Sequence, residues 1–402
     1  MASNGAPGFA LLKEQLPAIQ KELADKGLDG WLLYNLRVRN GVAASLLGLG
    51  EMSRRYFVMI PAQGEPHALT HGIEQIPWQA WPWGSSSYVG WQVLDEAMKS
   101  LIGGRRRLAM EVSDRDAVPI VDLVPSGVVE MIRGHGVEVV SSGDLITKFY
   151  SRWTPGQVTS HYKAAGALVG AVNATFQRLA GQVRAGRTPL EEEVRQWVVA
   201  ELTARGSAVG ADSIAARGVN AANPHYETTN GGDTFRKGDV VLIDLWAKES
   251  EDAVFADQTW MAFLGATVPA RAAELFDIVC RARDAAVAFV RTAWHEGRTI
   301  QGYEVDDVAR AVIDRAGYGE YFIHRTGHSI DRATHGMGPN MDNLETHETR
   351  TLLEGVGFSI EPGIYIPGEI GVRTEINVYI GANGPDVTPG EPQHVMRALP
   401  VE

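Results

Sequence analysis

The sequence predicts an α/β domain followed by an α+β domain, and three observations carry that prediction. In the first third, short β-branched or aromatic runs alternate with helical stretches. Around residues 148–156 the chain reads KFYSRWTPG, whose Thr-Pro-Gly marks a break, so the domains are placed at residues 1–155 and 156–402. Beyond the break, helical patterns interleave with apolar runs that read as a mostly hairpin-like sheet.

Taken in order, residues 9–27 (FALLKEQLPAIQKELADKG) set apolar side chains at helical spacing and stop at Gly27, a C-terminal cap. WLLYN, RYFVMIP, PHALT, RLAMEV and VEVVSS follow as strands, the second and third joined by the turn residues AQGE. An alanine-rich helix is expected from about Gln157 to Val183. The next helix is announced by Thr188-Pro189-Leu190-Glu191, with Thr188 as cap, Pro189 at the first helical position and Glu191 completing a capping box, and it should end at Gly206. Helical patterns at 269–295 and 303–316 then alternate with the β-rich VVLIDLWA, TWMAFLG, GFSIEPGIYI and VRTEINVYI. No internal repeat or low-complexity tract interrupts the series.

Composition excludes several function classes. The 402 residues carry 37 basic and 49 acidic side chains, a formal charge of −12, which offers nucleic acid or an anionic membrane no general attraction. With 45% hydrophobic and 21% charged residues, the chain is neither disordered nor a coiled coil. Its one cysteine, Cys280, rules out an intramolecular disulfide, a four-cysteine zinc site and a CxxC redox pair, and fits a reducing compartment. The start lacks a basic segment followed by a long apolar one, and no run approaches the ~18 apolar residues that span a bilayer, so a soluble cytoplasmic protein is expected.

The informative anomaly is acidic side chains inside runs that otherwise read as buried strand: Asp244 in VVLIDLW, Asp257 in VFADQTW, Glu361 in GFSIEPG and Glu375 in VRTEINVYI. A buried carboxylate is costly unless it is paired or holds a cation. A single one fits a sheet rim or a salt bridge; four in one domain, each flanked by apolar residues, point to a metal site. His328, in HRTGHSI, offers a fifth ligand, with His335 seven residues further on. Carboxylates with one imidazole suit hard or borderline divalent ions, and four carboxylates neutralise two of them. Such a pair, about 3.5–4 Å apart, can lower the pKa of a bridging water and polarise a carbonyl.

The order Asp244, Asp257, His328, Glu361, Glu375, with the segments IDLWA, FADQTW, HRTGHSI, SIEPGIYIPG and GVRTEINVYI, resembles the pita-bread metallopeptidases, in particular their prolidase (Xaa-Pro dipeptidase) and aminopeptidase P branch. The resemblance covers roughly residues 157–402, and the first third is similar to the creatinase-like N-terminal domain of that branch. It implies a catalytic domain built on a curved, largely antiparallel sheet. It also implies two divalent ions, manganese first with zinc or cobalt as alternatives: Asp244 chelates one, Asp257 and Glu375 bridge both, and His328 with Glu361 completes the other. Glu361 would also move the proton of the nucleophilic water. His225, in AANPHYETTN, matches the histidine that borders the substrate and stabilises the tetrahedral intermediate. His335 matches a second substrate-contacting histidine, His324 lines the same pocket, and Arg373 holds a carboxylate or orients a ligand, its plainer role being a salt bridge to the acidic cluster. The implied activity is hydrolysis of the bond between an N-terminal residue and proline by a metal-bridging hydroxide, in Xaa-Pro dipeptides first and in longer Xaa-Pro-Xaa peptides as the alternative. The implied partners are a short proline-containing peptide and a second copy in a homodimer.

Two departures stand out. Asp244 and Asp257 lie thirteen positions apart, two more than the family pattern, which a longer hairpin loop over AKESEDAVFA absorbs. Prolidases place an arginine about fourteen residues before the SIEPG glutamate to bind the proline carboxylate; here that position is His347, Arg350 is out of register, and Arg373 is left to serve. GxSxG and HExxH are absent, which argues against a serine hydrolase and a single-zinc protease. Gly48-Leu49-Gly50 lacks the third glycine of a dinucleotide loop and reads as a turn. A complete ligand series argues against a metal-free creatinase-like enzyme and a non-catalytic binding platform, and the added α/β domain against methionine aminopeptidase. Trp78, Trp81, Trp83 and Trp91 read as core or interface residues, and the resemblance puts this region near a neighbouring subunit's pocket.

Overall fold

The computed structural model describes residues 8–37 and 39–402, and the chain divides into two compact units, one ending at Tyr150 and one starting at Ser151. The Thr-Pro-Gly triplet lies inside the second unit, where it starts a helix. Thr154 Oγ1 accepts the Gln157 N–H at 3.3 Å, and the Gln157 side chain accepts the Thr154 N–H at 2.9 Å. Pro155 occupies the first helical position, where its missing N–H costs nothing.

The first unit runs α1 (Ala10–Asp25), β1 (Gly30–Asn35), α2 (Gly41–Leu47), β2 (Tyr56–Pro61), β3 (His67–His71), β4 (Gly84–Tyr88), α3 (Trp91–Ile102), β5 (Arg107–Met110), α4 (Ser126–Gly134), β6 (Glu138–Ser141) and α5 (Gly143–Phe149). Its six strands form one mixed sheet in the order β4-β3-β2-β1-β5-β6. Leu32 and Tyr34 face a core completed by α3 and α4, whereas Trp31 and Leu33, equally buried, alternate to the face on which α1 and α2 contact β1. Both faces are covered, which is why WLLYN reads as a continuous apolar run rather than an alternation. Trp78 and Trp81 are core residues around Phe9, while Trp91 is 73% exposed at the start of α3.

The second unit runs α6 (Pro155–Arg184), α7 (Glu191–Ala204), β7 (Val209–Arg217), β8 (Val240–Lys248), β9 (Ala256–Leu264), α8 (Ala270–His295), α9 (Gly302–Arg315), β10 (Ser329–Ile330), β11 (Gly357–Ile360), β12 (Gly363–Ile366), β13 (Ile370–Arg373), β14 (Ile376–Gly381), β15 (Gly384–Thr388) and β16 (Arg397–Leu399). Its strands form three sheets, β16-β9-β8-β7, β10-β11-β14-β15 and β12-β13; every pairing is antiparallel except β16 with β9. The β8–β9 hairpin has two occupied faces. Val241, Ile243, Leu245, Trp260 and Ala262 pack on α6 and α7, while Leu242, Met261 and Phe263 pack in the core that contains α8 and α9.

Two expectations change in this unit. The capping box assigned to Thr188 and Glu191 does not form: α7 begins at Glu191, two residues later than Pro189, and Glu193 accepts the Leu190 N–H at 2.8 Å. Pro189 is drawn away because its carbonyl accepts the Phe235 N–H at 2.8 Å and Leu190 bridges to Thr234, which frees Glu191 for a different task. The runs GFSIEPGIYI and VRTEINVYI are each broken in two, because Pro362 has no N–H to continue a ladder and the chain there passes from one sheet to another. Among the described residues no helix is long and apolar enough to cross a membrane.

Candidate metal centre

The site starts from the register of two strands. Asp244 on β8 pairs with Thr259 on β9, and Asp257 pairs with Trp246, so the two aspartates are diagonal neighbours on one face of the hairpin. The extra residues between them lie in the loop connecting β8 and β9. Glu361 and Glu375 come from the second pair of strands: Ile360 pairs with Ile376 and Gly363 with Arg373, so both glutamates sit where the paired chains change sheets. A side-chain clamp joins the two layers. Asn377 Oδ1 accepts the Asp257 N–H at 3.0 Å, and its amide donates back to the Asp257 carbonyl at 2.7 Å. Thr259 Oγ1 donates to Glu375 Oε2 at 2.9 Å.

The HRTGHSI segment brings the imidazoles. The Ser359 N–H donates to the His328 carbonyl at 2.8 Å and the Glu361 N–H to the Thr326 carbonyl at 2.7 Å, which lays the segment along β11. This approach needs Gly327, because a Cβ there would stand 2.0 Å from the Ser359 carbonyl oxygen. His328 Nε2 lies 3.3 Å from Glu361 Oε1 and 3.7 Å from Asp257 Oδ2, and Asp257, His328 and Glu375 each offer a ligand atom within 4.8 Å of the others.

The chemistry of this set fits a cation. His328 Nδ1 is 3.1 Å from the Ser329 carbonyl, which can only accept, so the ring proton sits on Nδ1 and the Nε2 lone pair faces the carboxylates. Burial holds the His328 pKa down to about 3, so the imidazole is neutral, as a metal ligand must be. A lone pair aimed at carboxylate oxygens is repulsive unless a positive charge lies between them. Oδ1 of Asp244 and Oδ1 of Asp257 are also buried without any hydrogen-bond partner. Burial, reinforced by the neighbouring acids, raises the pKa of Asp257 and Glu375 well above the ordinary range, and burial raises that of Asp244.

Arg373 is 3% exposed; its guanidinium donates to Asp244 Oδ2 at 2.5 Å and to Thr259 Oγ1 at 3.0 Å. It therefore forms the salt bridge to the acidic cluster. The described residues line a cavity of about 340 Å³ bounded by the five ligand candidates, by Arg373, His225, His324 and His335, and by Ile214, Trp246, Arg325 and Glu345. His324 hydrogen-bonds the Tyr365 hydroxyl at 2.7 Å through Nε2, and burial lowers its pKa to about 4. The His335 ring stands edge-on to His328, with centroids 4.4 Å apart. His225 is exposed at the rim, on a loop in which Asn223 Oδ1 accepts its N–H at 3.1 Å.

Thr259, Asn377 and Tyr365 take part in the site although none was singled out in the sequence. Asn377 carried a signal, a polar residue inside the apolar run INVYI; Thr259 and Tyr365 are ordinary strand residues and carried none. His347 is not among the cavity-lining residues: it hydrogen-bonds Asn343 at 2.8 Å and packs with a tilted ring on Tyr303, centroids 4.6 Å apart. Arg350 is buried against Glu348 and the carbonyls of Met337 and Gly338.

Comparison with known proteins agrees with this geometry. Residues 160–382 match the model of metallopeptidase family M24. An uncharacterised peptidase of Staphylococcus saprophyticus is 34% identical over 195 residues, 48% of this chain and 51% of the relative. The Xaa-Pro dipeptidase of Lactobacillus helveticus is 37% identical over 164 residues, 41% of this chain and 40% of the relative. The chain thus spans about half or less of the length of these curated relatives. The crystal structure of dipeptidase PepE from Mycobacterium ulcerans shares the fold, with a TM-score of 0.71 and 23% identity over 98% of this chain and 100% of that one. The matched segment contains Asp244, Asp257, His328, Glu361 and Glu375 and covers more than half of the sequence, so the chain belongs to metallopeptidase family M24.

Proposed function

We propose that the protein is a dinuclear metal-dependent peptidase that hydrolyses the bond between an N-terminal residue and proline, acting first on Xaa-Pro dipeptides. The observation that carries this reading is the neutral His328 Nε2 aimed at Glu361 and Asp257 beside two unpartnered carboxylate oxygens. Asp244 would hold one divalent ion, Asp257 and Glu375 both, and His328 with Glu361 the other, manganese being the first choice and zinc or cobalt the alternatives. Divalent ions held by these residues would supply the positive charge that acidifies a water and polarises the scissile carbonyl.

The chain's own residues do the rest. Glu361, whose Oε1 accepts the Ser359 hydroxyl at 3.1 Å, is held in place to take the proton of the attacking water and pass it to the proline nitrogen. His225 and His335 border the cavity and would donate to the oxyanion as it forms. Thr259 and Arg373 orient Glu375 and Asp244, so the carboxylates need not reorganise during the reaction. The Xaa-Pro dipeptidase name of a relative supports the substrate class. A homodimer is proposed with it.

One observation favours a second reading, aminopeptidase P action on longer peptides. A neighbouring cavity of about 620 Å³ shares Ile214, His225 and Trp246 with the first and would house additional residues. The test is hydrolysis of an Xaa-Pro dipeptide and an Xaa-Pro-Xaa tripeptide by chelator-stripped protein, before and after addition of Mn²⁺, Co²⁺ or Zn²⁺. Metal-restored cleavage of the dipeptide alone is expected. Cleavage mainly of the tripeptide moves the assignment to aminopeptidase P, and cleavage of neither by metal-loaded protein overturns the Xaa-Pro reading.

A further inference from the structure

An Xaa-Pro dipeptide carries its free carboxylate one residue beyond the scissile carbonyl, about 3.3–3.6 Å of extended chain. That carboxylate must therefore enter the same cavity as Asp244, Asp257, Glu361 and Glu375, and it needs a cation there. Among the described residues that line the cavity, Arg325 and Arg373 are the only arginines or lysines. Arg373 is buried and engaged with Asp244 and Thr259. Arg325 differs: its side chain is 24% exposed, and among the described residues the one carboxylate its guanidinium approaches, Glu345, stands 3.8 Å away, beyond hydrogen-bond distance. His347 and Arg350, the other residues near the position where an arginine was sought, have side chains committed elsewhere.

We propose that Arg325 binds the C-terminal carboxylate of the dipeptide, with Glu345 as the anion that the substrate displaces, and that this contact sets the preference for dipeptides over C-terminally extended peptides. The inference rests on the Xaa-Pro reading above. A planar guanidinium at a cavity rim suits bidentate capture of a carboxylate. The backbone at this position is held by other means, the Arg325 N–H donating to Glu345 Oε1 at 3.1 Å and Arg310 donating to the His324 carbonyl at 2.9 Å, so the side chain can be changed without moving the frame.

The test compares manganese-loaded full-length wild type, Arg325→Gln and Arg325→Lys on Ala-Pro and on Ala-Pro amide, which lacks the charge. Arg325→Gln is expected to raise KM for Ala-Pro about 10- to 100-fold while changing the amide's KM far less, and Arg325→Lys to restore part of the loss. Glu345→Gln, which keeps the acceptor for the Arg325 N–H, is expected to lower KM for Ala-Pro. Equal effects of Arg325→Gln on dipeptide and amide, or none on either, overturn the assignment. If wild type cleaves neither compound, the Xaa-Pro reading fails on its own, and calorimetric binding of the same two compounds still decides. Carboxylate-dependent binding that Arg325→Gln abolishes supports the assignment; its absence in wild type, or its survival in the variant, overturns it.

Discussion

Glu191 lies outside the proposed ligand set, and replacing it by glutamine tests why the His225 loop holds its shape. The residue is fully buried at the start of α7. Its carboxylate accepts the Arg217 N–H (2.8 Å), the Asn220 amide (2.9 and 3.0 Å), the Tyr226 hydroxyl (2.7 Å) and the Asp233 N–H (2.7 Å). These donors flank His225 on both sides in sequence. The Arg217 N–H bonds Oε1 and the Asp233 N–H bonds Oε2, so a glutamine, with one oxygen and one NH₂, leaves one of them facing a donor whichever way it turns. An orphaned buried N–H costs about 1–3 kcal/mol, and weakening the charge-assisted bonds adds about 1 kcal/mol, so Glu191→Gln should destabilise by about 3 kcal/mol. For a unit of this size that corresponds to a fall in Tm of roughly 6–12 °C. Circular-dichroism melts of the full-length protein measure it, and turnover on an Xaa-Pro peptide should fall while bound metal is unchanged. A Tm and turnover both equal to wild type would refute the claim that this carboxylate organises the loop.

Three further outcomes follow from the same structure. Asp257→Asn should bind no metal and lose hydrolysis, yet melt no lower than metal-stripped wild type, because one buried carboxylate repelled by its neighbours is gone; added Mn²⁺ should raise Tm for wild type alone, and an equal rise in the variant would remove Asp257 from the ligand set. His225→Ala should retain its metal by elemental analysis and lower kcat about 10²–10³-fold, whereas a metal-free variant would place His225 among the ligands. His161 is buried between the Phe255 carbonyl and Thr388 Oγ1, both at 2.8 Å, and burial lowers its pKa to about 4. With an unfolded value near 6.5, the stability from neutral His161 is full above about pH 6.5 and is lost as pH falls to about 4, an amount of about 3 kcal/mol. Urea denaturation at pH 7 and pH 4 should therefore show a smaller acid loss for His161→Gln than for wild type, and identical losses would refute it.

Much of the ligand set was legible in the sequence because a carboxylate inside an apolar strand is costly. Asp244, Asp257, Glu361 and Glu375 each broke a buried-strand pattern, and such burial is tolerable only where a cation, a cationic partner or a full set of hydrogen-bond donors offsets it. Helices α1, α6, α8 and α9 were legible for a similarly local reason, since apolar spacing and capping chemistry act within a few residues. The start of α7 was not, because a bridge from Leu190 to Thr234 outcompeted the local Thr-Pro cap.

What only the tertiary structure decided is which groups are already engaged. In the sequence Arg373 was left between a ligand contact and a salt bridge, and Arg325 was not singled out; strand register sets the first on Asp244, while the second lines the cavity with its side chain partly exposed. Glu191 looked like part of a helix cap and is instead the acceptor that gathers four donors from the loop around His225. Thr259 looks like an unremarkable strand residue, and Asn377 like a lone polar break in an apolar run, until the hairpin and the β11–β14 pair are laid together. The amino-acid pattern records the cost of burying a charge, which is a property of each residue; the partner that offsets that cost is a matter of distance, and distances across 131 positions of chain, from Asp244 to Glu375, exist only in the folded protein.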